Sequence, residues 1–308
     1  RDVERAMQSD RPRVVVLGDS MTEGYGVEDA QRFTNILEKE TGIEHLNFGT
    51  SGTFGTTQYY LLYKALARTF SHSAVLIGML PTNDFWDNDI EYGKAVFPDR
   101  YRPYLVGEYP NYRLLYYQKS IEQSVFRDSV SWRSRAARVL AEFTYSYNAF
   151  AYFKQLVAAR KAPVPAEVRS TREQDFFRAR PASGIPSRPY SGFYDYRNDQ
   201  LDLVKYTFAQ IKQLAGSREV VVALLPVAPD FARFDPAAPV TPLSAELGQF
   251  AEASGMKLVD LLPEMYARVK TGDNYILPCD GHWNAQGQAA AARYQMARLA
   301  LLYGRLAR

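Results

Sequence analysis

The segment Leu17-Gly18-Asp19-Ser20-Met21-Thr22-Glu23-Gly24 places a serine directly after a short apolar run, Arg13 to Leu17. A serine at the carboxyl end of a strand is exposed, and its own amide can face the same pocket. A nucleophile needs that placement if its N–H is also to stabilise an oxyanion. Gly-Asp-Ser by itself also reads as an ordinary turn or cap. Near the other end stands Pro278-Cys279-Asp280-Gly281-His282-Trp283-Asn284. There an Asp two residues before a His could accept from Nδ1, leaving Nε2 free to take a hydroxyl proton. The bland alternative is a helix capped by Asn284 with His282 as a surface loop residue.

Two further segments supply hydrogen-bond donors. Asn47-Phe48-Gly49-Thr50-Ser51-Gly52-Thr53 is a glycine and serine turn that can present a bare backbone N–H, and Thr82-Asn83-Asp84 offers a side-chain amide. An oxyanion wants such donors, and losing one typically costs about 10²–10³ in rate. Each segment alone is commonplace; their occurrence in this order carries the information. Asp19 and Asp84 read either as braces for loop backbone or, with Trp283, as residues that contact substrate. His45 and His72 lack companions and read as surface or strand histidines. Cys279, with no second cysteine, reads as a small buried filler.

These residues need a scaffold that brings distant segments together. Arg13–Leu17, Glu44–Phe48, Ala74–Leu80, Glu219–Leu225 and Lys257–Leu261 read as five strands. Helical periodicity covers about Asp29–Thr41, Leu201–Ala215, Ser244–Ser254 and Asn284–Tyr303. A further helix capped by Thr56 or Thr57 is expected to bury Tyr60, Leu61, Ala65, Leu66 and Thr69. Strands alternating with helices predict a three-layer α/β/α domain around a five-stranded parallel sheet. Ligands bind at the carboxyl ends of such strands, so the loops after Leu17, Phe48, Leu80 and Leu261 are expected to converge.

At 308 residues the chain is long enough for one large domain or a core domain carrying an insertion and is expected to be a single domain; its composition is ordinary and its net charge of +3 demands no polyanionic partner. No apolar run is long enough to span a membrane. Three scattered histidines and one cysteine offer no local zinc motif. Gly24-Tyr25-Gly26 lacks the third glycine of a dinucleotide fingerprint, so no cofactor is expected. Residues 96–200 break the strand–helix rhythm: they hold 17 Lys and Arg against 10 Asp and Glu, and 21 of the 42 aromatics. They are expected to form an insertion after the third strand, packing over the strand ends, with helix near Ser131–Phe153 and loop over Ala162–Ser191. Its excess of arginine and aromatic residues suits either a sugar or anionic-polymer surface or simply a small core of its own.

Taken together, Gly-Asp-Ser after the first strand, Gly52 in Asn-x-x-x-Ser-Gly, Asn83-Asp84 after the third and Asp280/His282 before the last helix resemble the four blocks of the SGNH (GDSL-type) hydrolases. The likeness covers about residues 12–90 and 200–303. Two spacings depart from the pattern. Pro81-Thr82 replaces the usual Gly-x before Asn-Asp, and Asp and His stand two apart rather than three. That Asp-x-His-Trp form is similar to SGNH-like polysaccharide O-acetyltransferases. The resemblance implies the flavodoxin-like SGNH fold, with Ser20 as nucleophile, His282 as base and Asp280 as its orienting partner. It also implies an oxyanion hole of Ser20, Gly52 and Asn83, and no metal. The implied activity is hydrolysis of a small acyl ester, for example O-acetyl on a carbohydrate; transfer to a sugar hydroxyl by the same residues is the first alternative. A catalytically silent binding module for a glycan or anionic polymer is the second. Nucleic acid is not an expected partner. With a chain opening at Arg1, the family implies an extracytoplasmic, for example periplasmic, location, where an upstream anchor is compatible.

Overall fold

The computed structural model describes residues 6–98, 100–117, 190–278 and 280–306. The chain divides into two compact units, one of Arg1–Ile90, Pro103–Leu115 and Ser183–Arg308, the other of Glu91–Arg102 and Tyr116–Ala182. Residues 103–115 and 183–200, which the sequence assigns to the insertion, thus belong to the first unit. Most of the rest of the insertion, including 131–153, lies outside the described residues.

The first unit is built on β1 (Arg13–Gly18), β2 (Glu44–Gly49), β3 (Ala74–Met79), β6 (Glu219–Leu224) and β7 (Lys257–Asp260). These form one parallel sheet in the order β2-β1-β3-β6-β7. Val14 to Leu17 and Val220 to Leu224 are all at most 1% exposed. Such runs of branched apolar residues are what a strand buried on both faces requires. Helices α2 (Phe33–Thr41) and α10 (Ala285–Arg298) pack together, as do α3 (Thr56–Ala65) and α6 (Asn198–Ala215), completing the three layers. The remaining helices of the described residues are α1 (Ser20–Glu23), α4 (Pro81–Asp87), α5 (Ile90–Val96), α7 (Ala228–Arg233), α8 (Pro242–Ala253), α9 (Leu262–Lys270) and α11 (Ala300–Leu306). Strands β4 (Arg102–Glu108) and β5 (Asn111–Tyr117) form a separate two-stranded sheet. No helix of the described residues is long and apolar enough to cross a membrane. In the second unit, Tyr101 stacks on Tyr116 with centroids 5.4 Å apart, and Lys94 Nζ lies 5.4 Å from the centre of the Tyr117 ring.

Several local expectations need correction. Asp29–Gln31 is a 3₁₀ turn, separated from α2 by the extended Arg32 (ψ 139°). Gly55, not a threonine, caps α3, and its buried face is Thr56, Thr57, Gln58, Tyr59, Tyr60 and Tyr63, while Leu66 is 46% exposed. The tyrosines, which bury large rings and hydrogen-bond their hydroxyls, outcompete the leucines for the core. His72 is buried rather than superficial, its Nε2 2.9 Å from Tyr63 Oη and its Nδ1 2.6 Å from the Phe70 carbonyl. His45 is likewise buried within β2.

Candidate active site

Three glycines prepare the ground for Ser20. Gly18 pairs with Gly49 on one side and Gly78 on the other, so the ends of β2, β1 and β3 present a flat shelf. A Cβ on Gly18 would stand 2.0 Å from Thr22 Oγ1, one on Gly78 2.4 Å from the same atom, and one on Gly49 2.2 Å from the Glu23 nitrogen. Helix α1 therefore lies directly on the strand ends, with Ser20 as its first residue. Asp19 caps it: Oδ1 accepts the Met21 N–H at 3.0 Å.

The histidine arrives from the far end of the chain. Trp283, fully buried, donates Nε1–H to the Pro226 carbonyl at 2.9 Å. Gln288 is also buried; it donates to the Met21 carbonyl at 3.0 Å and accepts the Phe33 N–H at 2.9 Å. The Leu277 N–H donates to the His282 carbonyl at 2.7 Å, and Asn284 caps α10 by accepting the Gly287 N–H at 3.0 Å. These anchors hold His282 Nε2 2.8 Å from Ser20 Oγ. On the other side of the ring, Nδ1 lies 3.3 Å from Asp280 Oδ1. That oxygen accepts the His282 N–H at 3.1 Å, and Nδ1 itself makes no well-directed hydrogen bond.

Asn83 arrives differently from the sequence expectation. The segment after β3 is not a loop but the first turn of α4, with Pro81 at its first position. Proline suits that position because it has no N–H to leave unsatisfied. Asp84 Oδ2 accepts the Leu80 N–H at 3.0 Å, and its Oδ1 accepts the Tyr59 hydroxyl at 2.8 Å. Asn83 Nδ2 donates to Asp19 Oδ2 at 3.2 Å. Burial pushes the Asp19 carboxyl up to about 7, with the Asp87 charge adding to it, and pushes Asp84 well above the usual range, with the Asp19 charge adding.

Ser20, Asn83, Asp280, Gly281 and His282 line one cavity of about 280 Å³, closed by the apolar Met21, Leu80, Val227, Ala228 and Pro229. Gly52 does not line it. It is exposed at φ 103° on the loop after β2, where Glu23 holds Ser51 through both its amide and its hydroxyl. Asp19, Asp84 and Trp283 are at most 1% exposed and do not line the cavity. Of the four loops expected to converge, those after β1 and β3 reach the cavity; the other walls come from the segment after β6 and from Asp280–His282, not from the loops after β2 or Leu261. The sequence reading missed Val227–Pro229 because strand order, which sets β6 beside β3, is not written in the local pattern. Gln288 was missed too; a glutamine inside the alanine-rich stretch of α10 was the available sign. Cys279 lies outside the described residues. Among these, no cluster of three or more His, Cys, Asp or Glu could hold a metal ion.

No family model and no curated relative matches the chain. Its neighbours among solved structures include G-D-S-L lipolytic hydrolases and esterases. A lipolytic protein of the G-D-S-L family from Veillonella parvula aligns at 12% identity over 94% of this chain and 98% of that one, with a TM-score of 0.43. The lipase/acylhydrolase from Enterococcus faecalis aligns at 9% identity over 96% of each, with a TM-score of 0.47. A two-domain esterase active on acetylated mannans aligns at 10% identity over 96% of this chain, with a TM-score of 0.46; the match spans half of that protein.

Proposed function

We propose that the protein is a serine-dependent ester hydrolase that moves a short acyl group from its alcohol to Ser20 and then to water. The observation that carries this reading is the 2.8 Å contact between Ser20 Oγ and His282 Nε2 at the wall of a small apolar cavity. Oγ attacks the ester carbonyl carbon as its proton passes to Nε2. The tetrahedral oxyanion takes hydrogen bonds from the Ser20 N–H and from Asn83. The Asn83 amide has two N–H donors; Asp19 holds one, which leaves the other for the substrate. Gly52 can join only if its loop moves inward. Collapse of the intermediate breaks the bond to the alcohol, which leaves with the proton from Nε2. Water, deprotonated by the same nitrogen, then attacks the acyl carbon and releases the acid and Ser20. Asp280, 3.3 Å from Nδ1, is the carboxylate that would hold the tautomer with the proton there once it turns squarely onto that nitrogen.

At about 280 Å³ the cavity falls just below the ~300–1,000 Å³ of pockets for drug-sized ligands. Its size and apolar walls support a short acyl chain, acetyl first among them. The test is an acid quench after mixing with 4-nitrophenyl acetate, followed by peptide mass analysis. One acetyl on the peptide containing Ser20, absent from Ser20→Ala, is the expected result. Turnover with no adduct at Ser20, or no turnover of any acetyl ester, would overturn the reading. Acetyl diverted to an added oligosaccharide would show transfer by the same acyl-enzyme.

A further inference from the structure

The Gly24-Tyr25-Gly26 segment, which lacks the third glycine of a dinucleotide fingerprint, has a use at this site. Both glycines are left-handed, at φ 78° and 82°. A Cβ on Gly24 would stand 2.4 Å from Arg32 Cγ, and one on Gly26 2.7 Å from Leu277 Cδ1. Leu277 is the residue whose N–H holds the His282 carbonyl, so the segment packs against the loop that carries the histidine. Between the glycines, the Tyr25 N–H donates to the Ser20 carbonyl at 3.0 Å. The Tyr25 ring lies against the His282 ring, centroids 4.7 Å apart and planes tilted by 45°. Tyr25 is nonetheless 51% exposed and does not line the acyl cavity.

Chemistry says what this exposed ring would meet. The alcohol oxygen must come within hydrogen-bonding reach of His282 Nε2 to receive its proton. With the acyl group in the cavity, the alcohol therefore extends past the imidazole, and the aromatic surface abutting that imidazole is Tyr25. An amphipathic ring held at the reacting centre with half its surface in water is placed to stack on a ring of the alcohol. We propose that Tyr25 is a specificity-determining residue, a platform on which the ring of the alcohol portion stacks. The preferred esters are then those of ring-bearing alcohols, a sugar or an aromatic alcohol, over short alkyl ones. This rests on the esterase reading above.

The test compares methyl O-acetyl-glucopyranoside, phenyl acetate and ethyl acetate as substrates for wild type, Tyr25→Ala, Tyr25→Leu and Tyr25→Phe. A small fluorophosphonate, whose fluoride leaving group needs no platform, titrates Ser20 in each protein. Removing one stacked pair is expected to lower the ratio of kcat/KM for a ring ester over ethyl acetate by about threefold to tenfold. The fall is expected in KM, and Tyr25→Phe is expected to restore the ratio. A fall for the sugar ester alone or the aryl ester alone identifies which ring the platform serves. An unchanged ratio, with labelling of Ser20 intact, overturns the platform and leaves the esterase reading standing. An equal loss of kcat on all three esters also overturns it and makes Tyr25 a prop for the imidazole. Absence of both labelling and hydrolysis in wild type removes the esterase reading and the platform with it.

Discussion

Asp19 sits buried under the nucleophile, and replacing it with asparagine removes its electrical cost. In the folded chain its carboxyl is raised from 3.8 to about 7, chiefly by burial. The folded state therefore holds a proton that the unfolded state has released between about pH 4 and pH 7. Stability from this group is fully present below pH 4, is lost as pH rises through 7, and is flat above. The displacement from 3.8 to about 7 amounts to roughly 4 kcal/mol at full extent. The substituted asparagine can still cap α1 through its carbonyl oxygen, while its amide loses the bond from Asn83; that loss is a constant offset, and the change of the difference with pH is what reads the proton. Asp230 and Asp260, raised to about 7 and about 6, titrate in both proteins and cancel from the comparison. Urea denaturation of wild type and Asp19→Asn from pH 4 to pH 8 reads the difference directly. The variant is expected to gain on wild type steadily across that range, by up to about 4 kcal/mol, and to keep a constant lead above it. A difference that stays constant within about 1 kcal/mol from pH 4 to pH 8 would refute the argument, because no proton would then be tied to Asp19 burial.

Two other consequences follow from the shelf and the loop around Ser20. Gly49→Ala drives a methyl to 2.2 Å from the Glu23 nitrogen, and is expected to cost about 1–3 kcal/mol from overpacking and to displace Ser20. Gly42→Ala is the control, since its φ of 69° carries strain but nothing lies within 4 Å; it should cost about 1–2 kcal/mol and spare catalysis. Parallel urea and esterase measurements separate the two, and equal activity loss in both would contradict the shelf. Glu23→Ala frees the Ser51 amide that the carboxylate holds at 2.6 Å. Hydrogen exchange at Ser51 is expected to accelerate roughly tenfold or more, the loss of one charged hydrogen bond; unaltered protection would mean that the loop is held elsewhere.

Much of the fold was legible because buried parallel strands advertise themselves. Val14 to Leu17, which runs into Gly18, and Val220 to Leu224, which ends two residues before Pro226, are largely branched apolar runs, and each became a strand. Ser20, Asn83 and His282 could be singled out as candidates because a small chemical vocabulary sits at strand ends in a set order, and the structure brings them to one cavity. The rest depends on contacts between segments far apart in the chain. That Gly18, Gly49 and Gly78 align, that Trp283 reaches the Pro226 carbonyl, and that Val227–Pro229 walls the cavity all follow from strand order. Pro81 shows the local limit: a loop is expected after Leu80, yet proline at the first helical position starts the turn that carries Asn83. Tyr25 was weighed only as part of an incomplete nucleotide motif, and its contact with His282 exists only once the two chain ends meet.

The account turns on a proton passing across 2.8 Å from Ser20 to His282. It is tested most directly by the kcat/KM for an aryl acetate in wild type, Ser20→Ala, His282→Ala and the double variant. Each single change should lower kcat/KM by at least about 10³, and the double variant should be no worse than the weaker single, because the two residues act as one unit. Losses that multiply in the double variant, or a single variant keeping more than about a tenth of wild-type activity, would contradict it.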